Sequence, residues 1–155
     1  MLQSNIIRLF WSLGSLLAVC FFFNVATVSA NPQQDYLAKN AKVKGVVVTK
    51  SGLQYRVLRK GKGRSPKSSD KVNVHYKGKL INGTQFDSSY DRGKPISFPL
   101  DGVIKGWIEG VQLMKEGAKY EFVIPAKLAY GQNGIGNVIP GGATLIFEVE
   151  LLKIN

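Results

Sequence analysis

At 155 residues, with 45% hydrophobic and 20% charged side chains, the chain has the composition of a single folded domain, which excludes a disordered or fibrous protein. Its one cysteine, Cys20, excludes an intrachain disulfide, and one histidine without partners leaves a metal site almost without support. The formal charge of +11 invites an anionic partner.

Residues 1–30 stand apart from the fold. Arg8 precedes an apolar run from Leu9 to Phe23, and Val28-Ser29-Ala30 sets small residues where signal peptidase cuts. This reads as a secretory signal peptide, with Asn31 the mature start. The run is short for a membrane span and carries Ser12, Gly14 and Ser15, so no transmembrane anchor is expected in the mature form. Leu17-Ala18-Val19-Cys20 is a poor lipoprotein box, because Val19 is larger than the small residue expected there.

Residues 31–50 form a short basic segment, partly helical. Asn31-Pro32 can cap a helix running to about Val43 and ended by Gly45, with Val46 to Thr49 extended after it. From residue 51 to 155 the pattern is one domain. Leu53, Tyr55 and Val57 alternate with polar residues, as do Val72, Val74 and Tyr76, and each set reads as a half-buried strand. His75 therefore points away from Tyr76. Asn82-Gly83 predicts a two-residue hairpin turn into a strand from Thr84 to Ser88. On that strand Phe86 and Asp87 should face opposite ways. Ser88 to Lys94 reads as a polar loop, and Ile96 and Phe98 share a face of a short strand closed by Pro99.

Val103 to Leu113 is the one stretch of the second half with helical spacing. Ile104, Trp107, Ile108 and Val111 fall on one face, with Asp101-Gly102 ahead and Glu116-Gly117 behind. A short helix among strands has to lay that face across a sheet. Tyr120, Phe122 and Ile124 alternate next; a glycine-rich loop from Gln132 to Gly142 holds Val138 and Ile139; Leu145, Phe147, Val149 and Leu151 make the inner face of a last strand.

No hydrolytic machinery or phosphate loop emerges. The chain offers an aromatic set, Tyr76, Phe86, Phe98, Trp107, Tyr130 and Phe147, with Asp87 and the Tyr130 hydroxyl as polar handles. From the residues alone this set reads equally as core or as a ligand pocket.

The motifs Val74-His75-Tyr76-Lys77-Gly78, Gly83-Thr84-Gln85-Phe86-Asp87-Ser88-Ser89, Val103-Ile104-Lys105-Gly106-Trp107, Ala129-Tyr130-Gly131 and Thr144-Leu145-Ile146-Phe147-Glu148-Val149-Glu150-Leu151 closely resemble the FKBP-type peptidyl-prolyl isomerases. They occur in the family's order from about Ser51 to Asn155. Ser51-Gly52-Leu53-Gln54-Tyr55 looks like the domain entry of the macrophage-infectivity-potentiator branch of bacterial envelopes. The resemblance implies an α+β fold, a curved antiparallel sheet of about five strands wrapped around one short helix. It implies catalysis of X–Pro rotation in exported proteins, with a non-catalytic holdase for proline-containing apolar segments as the alternative.

By the same resemblance Asp87 and Tyr130 are the catalytic pair. Tyr76, Phe86, Phe98, Val103, Ile104, Trp107, Val138, Ile139 and Phe147 would bind substrate. Asp87 would orient the Tyr130 lip by hydrogen bonding. No metal or cofactor is implied. The expected partners are proline-containing polypeptides and macrolides such as tacrolimus and rapamycin, with Ile135, Gly136 and Gly141 departing from the family's usual loop. The short stub before the domain implies a monomer, and the leader a periplasmic location, with outer-membrane association as a variant.

Charge is uneven. Lys39 to Lys79 holds thirteen Lys or Arg against one acid, Asp70, whereas Leu80 to Asn155 has seven bases and eight acids. Such a half can attract anionic surfaces, or serve as a solvated lysine face. Export and the lack of a base-stacking motif argue against nucleic acid.

Overall fold

A computed structural model describes residues 31–155; the expected signal peptide and Cys20 lie outside them. The described residues open with helix α1 (Pro32–Asn40), where Asn31 caps the helix by accepting the Gln33 N–H at 3.0 Å and Pro32 takes the first turn. The helix stops before Val43 because its end tightens into i→i+3 bonds, Lys42 N–H to Lys39 and Val43 N–H to Asn40. Gly45, at φ +86°, then turns the chain.

Seven strands follow: β1 (Val46–Val48), β2 (Gln54–Arg59), β3 (Lys71–Leu80), β4 (Gln85–Ser88), β5 (Ile96–Pro99), β6 (Lys119–Ile124) and β7 (Leu145–Ile154). Helix α2 (Lys105–Gln112) lies between β5 and β6. All pairings are antiparallel, in the order β1-β2-β6-β7-β3-β4, with β5 beside the first half of β3. The α+β class is as the resemblance implied; the strand count is seven rather than about five, because every extended run in the sequence, the short Val46–Val48 included, found a partner.

Two local expectations are corrected. The hairpin after β3 has a three-residue loop: Gly83 N–H bonds Leu80 C=O, Leu80 N–H bonds Thr84 C=O, and Gly83 takes a left-handed φ of +89°. The helix is also shorter than Val103 to Leu113. Leu100–Gly102 forms a separate 3-10 turn, Val103 is extended, and Ile104 is the cap residue rather than part of the helical face.

The core lies between α2 and one face of the sheet, where Val72, Val74, Val111, Met114, Phe122, Ile124, Val149 and Leu151 are fully buried. Gly106 and Gly110, one turn apart, let α2 settle directly on β6: a Cβ at Gly106 would stand 2.4 Å from the Ile124 side chain, and one at Gly110 2.7 Å from the Phe122 ring. Helix α1 is tied to the chain by polar bonds. The Gln33 Oε1 accepts the Thr144 N–H at 2.7 Å, and Gln54 donates to Leu37 C=O at 2.9 Å while accepting from Asn40 at 2.8 Å. On the sheet face away from α2, charges pair across strands: Arg56 with Glu121, Arg59 with Glu150, Lys119 with Glu148.

Candidate active site

Trp107 projects from α2 toward β3 and β7, only 5% exposed. The rings of Tyr76 and Phe147 meet it edge-on, each with centroids 5.3 Å away, and Phe98 leans in at 5.5 Å. Phe86 meets Phe147 edge-on at 5.4 Å. These edge-to-face contacts are the arrangement aromatic quadrupoles favour. Above Trp107 opens a cleft of about 440 Å³ lined by Tyr76, Phe86, Asp87, Ile96, Phe98, Gly102, Val103, Ile104, Trp107, Tyr130 and Phe147.

Phe86 and Asp87 share this cleft although they are neighbours on β4. The register explains it: Gly78 pairs with Asp87 and Lys79 with Gln85, so Phe86 is the extra residue of a β-bulge. The bulge breaks the alternation that would have sent one of the two to the far face. Gly78 completes the device, because a Cβ there would stand 2.7 Å from both the Phe86 and Phe147 rings.

The Asp87 carboxylate is held by two donors. The Tyr76 hydroxyl donates to one oxygen and the Arg92 guanidinium pairs with the other, while Arg92 also donates to the Tyr76 hydroxyl at 2.9 Å. The expected Asp87–Tyr130 hydrogen bond is therefore replaced by bonds to Tyr76 and Arg92. Burial alone would raise the Asp87 pKa, but the Tyr76 and Arg92 hydrogen bonds and the guanidinium charge outweigh it and hold the carboxyl below its ordinary value. Tyr130 feels Asp87 through space: burial first, then the carboxylate charge, raises its hydroxyl pKa, keeping it a protonated donor.

Ser89 fixes this corner from behind. Its hydroxyl accepts the Tyr76 N–H at 2.8 Å, reaches Tyr76 C=O at 3.2 Å and meets His75 Nδ1 at 2.9 Å. His75 stacks on Tyr90, ring centroids 4.5 Å apart, on the side opposite the cleft as the alternation predicted. Among the described residues no group of His, Cys, Asp or Glu could hold a metal ion.

Of the residues singled out in the sequence, the cleft brings together Asp87, Tyr130, Tyr76, Phe86, Phe98, Val103, Ile104, Trp107 and Phe147. Val138 and Ile139 stand outside its lining. Ile139 is buried in the core and bridged to Ile135, and Val138 is 54% exposed. Arg92, Ile96 and Gly102 were missed. Arg92 sits in a polar turn that reads only as loop, and the signal that could have found it is its spacing of five from Asp87, directly ahead of Gly93, the left-handed residue of that turn.

A family profile described as FKBP-type peptidyl-prolyl cis-trans isomerase matches residues 62–152, and one described as the domain amino terminal to it matches 24–57. The FKBP-type isomerase FkpA of Aeromonas hydrophila is 58% identical over 121 residues, 78% of this chain and 45% of that protein. The FKBP-type 22 kDa isomerase of Escherichia coli is 57% identical over 119 residues, 77% of this chain and 58% of that protein. The chain thus spans about half the length of the curated relatives it matches. The crystal structure of FkpA from Escherichia coli superposes with a TM-score of 0.78 at 52% identity, covering 80% of this chain and 58% of that one. An isomerase structure from Pseudomonas syringae gives 0.76 at 35% identity over 80% and 91%. With a cleft of this shape and a profile match across most of its length, the chain belongs to the FKBP-type peptidyl-prolyl cis-trans isomerase family.

Proposed function

We propose that the protein accelerates cis-trans rotation about X–Pro bonds of exported polypeptides. The observation that carries this is the cleft itself: an aromatic trough over Trp107, with Asp87 and the Tyr130 hydroxyl among its lining residues. Rotation needs no nucleophile. The barrier, about 18–20 kcal/mol for peptide bonds generally, is amide resonance, and the twisted transition state has lost that resonance and its dipole. An apolar trough disfavours the planar, polar ground state relative to it. Tyr130 donates to a substrate carbonyl and holds the bound conformation. The first N–H groups of α2, which has no capping side chain at Ile104, stand beside the trough as further donors. Asp87, locked by Tyr76 and Arg92, shapes the field at the lip.

The residue before proline crosses a rim of Ile96 and Val103, which favours Leu, Met or Phe at that position. Macrolides such as tacrolimus and rapamycin would fill the same trough. The polar lock of α1 onto its own domain supports a monomer, and the Leu9–Phe23 run a periplasmic protein. Among the described residues no helix is long and apolar enough to cross a membrane.

Exchange between cis and trans Leu-Pro in a short peptide, followed by NMR with and without the protein, tests the reading. Catalysis is expected, with a smaller effect when Glu replaces Leu. Saturable binding without faster exchange would sink it in favour of the holdase.

A further inference from the structure

An eight-residue helix is about 12 Å long, whereas six strands side by side span about 24 Å. Helix α2 rests on β6, so it leaves apolar sheet uncovered on both flanks. The β7-β3-β4 flank is the prolyl cleft. The opposite flank, on β2 and β1, forms a second apolar corner.

Register puts this corner together. Val47 pairs with Tyr55, Tyr55 with the buried Phe122, and Val57 with Tyr120, so all five point to the α2 side. The Tyr55 and Tyr120 rings stack at 5.8 Å and 8°, and the Tyr120 hydroxyl donates to Leu113 C=O at 3.3 Å. Val47, Val57 and Leu113 are exposed by 47%, 39% and 42%, large fractions for aliphatic side chains gathered in one place. Val43 and Leu58, also exposed, lie at the same end of the sheet.

The turn and strand end beside the corner carry lysines. Lys42 and Lys44 flank Val43 in the turn entering β1, and Lys60 follows β2 at that end. None has a carboxylate partner among the described residues. The nearby acids are engaged: Glu109 accepts the Ser51 hydroxyl, Glu116 accepts the Ile154 N–H, and Glu121 pairs with Arg56 on the far face.

We propose that this corner docks on an anionic lipid surface, its lysines meeting headgroups while Val47 and Val57 enter the acyl boundary and the two tyrosines sit at the interface. Charge complementarity chooses lipid, and amphipathic tyrosines suit that depth. Strand addition by a second copy or an extended peptide is disfavoured, because β1 has only three residues and is bracketed by Lys44 and Lys50, the usual means of blunting a sheet edge. The basic stretch noted in the sequence thereby gains an apolar partner that sequence periodicity did not reveal.

The test is co-sedimentation of the mature protein with vesicles of phosphatidylcholine alone or mixed with phosphatidylglycerol, at low and raised salt. Binding is expected to the mixed vesicles only, weakened by salt but not abolished. The Lys42→Ser, Lys44→Ser pair should weaken it roughly 25-fold, since each lysine near an anionic surface contributes about fivefold. Val47→Thr with Val57→Thr keeps the β-branched shape and should remove the salt-resistant part. Unchanged Leu-Pro isomerase activity and thermal unfolding in that variant will show that the fold and cleft are intact.

Three results would overturn the proposal. The first is no binding to mixed vesicles. The second is binding that vanishes at moderate salt and ignores the valine substitutions, which makes it screened charge alone. The third is a concentration-dependent dimer, seen by light scattering, that the valine substitutions dissolve, which makes the corner a contact between copies. Peptide isomerisation is read separately, so failure here leaves the proposed activity standing.

Discussion

The carboxylate of Asp87 is held between Tyr76 on β3 and Arg92 in the turn after β4, and both donors bear on its protonation. A lowered folded-state pKa makes the carboxylate's contribution fully present above the unfolded value, about 3.9, and lost only as pH falls through the lower folded value. The lip of the cleft should therefore stay charged from neutrality down to about pH 4. Replacing Arg92 by Gln removes the guanidinium and leaves burial less opposed, so the acid limb of kcat/KM should move to higher pH. A pH–rate profile beside an NMR titration of the Asp87 carboxyl checks this; an unmoved limb would mean that the reaction does not sense Asp87. Asp87→Leu should cut turnover while unfolding stays cooperative, because Phe86 and Phe147 supply the packing there; activity that falls only in step with unfolding would contradict that role. Tyr130→Phe should cost less, about 0.5–1.5 kcal/mol or at most about tenfold, since the ring remains as a wall. At this scale the sequence was legible where one residue type does one job, as with Trp107. It was not legible for Arg92, whose role depends on a turn bringing it back to Asp87, nor for the convergence of Phe86 and Asp87, which needs a bulge that period-two reading assumes absent.

At the scale of elements, α2 shows how a periodicity argument can be right in outcome and incomplete in cause. The apolar spacing of Trp107 and Val111 correctly marked the face laid on the sheet. The depth of that contact comes from Gly106 and Gly110, whose missing side chains admit Ile124 and Phe122. Ile104, counted on the same face, ended as the cap and still reached the cleft because Val103 and Ile104 run extended along its edge. The substitution Gly106→Ala sets two effects against each other. Helix propensity gains about 1 kcal/mol. Overpacking against the buried, branched Ile124 costs about 1–3 kcal/mol, and the close approach of 2.4 Å puts it at the upper end. A net loss of roughly 1–2 kcal/mol is expected in urea unfolding, with KM rising because Trp107, the next residue, moves with the helix. A stabilised variant with unchanged KM would show that α2 can lift off β6 without cost.

For the whole molecule, seven extended runs in the sequence became seven strands, but their order could not be read, because β7 is inserted between β6 and β3 by pairings far apart in the chain. That order gathers the tyrosines. Tyr76 and Tyr130 line the cleft, Tyr120 stacks on Tyr55 at the opposite corner, Tyr90 lies over His75 and donates to Glu150 at 3.0 Å, and Tyr36 of α1 feels Glu121 and Arg56 of the sheet. Burial raises the pKa of Tyr36, Tyr76, Tyr90, Tyr120 and Tyr130. Carboxylates add to it at Tyr36, Tyr76, Tyr90 and Tyr130, and Tyr90 is pushed up to about 12. A group whose folded pKa is raised contributes fully below its unfolded value, about 10, and loses that contribution as pH rises through the folded one. Stability should thus be level up to about pH 10 and fall between about 10 and 12. Phenolate absorbance should then appear late and together with the loss of tertiary structure, instead of along the simple curve of exposed tyrosine. In Tyr90→Phe the alkaline fall should be shallower, because its largest resolved contributor is gone while the Arg59–Glu150 pair remains. A phenolate titration centred near pH 10 in the folded protein, uncoupled from unfolding, would show that these hydroxyls are not held as the hydrogen bonds and burial require.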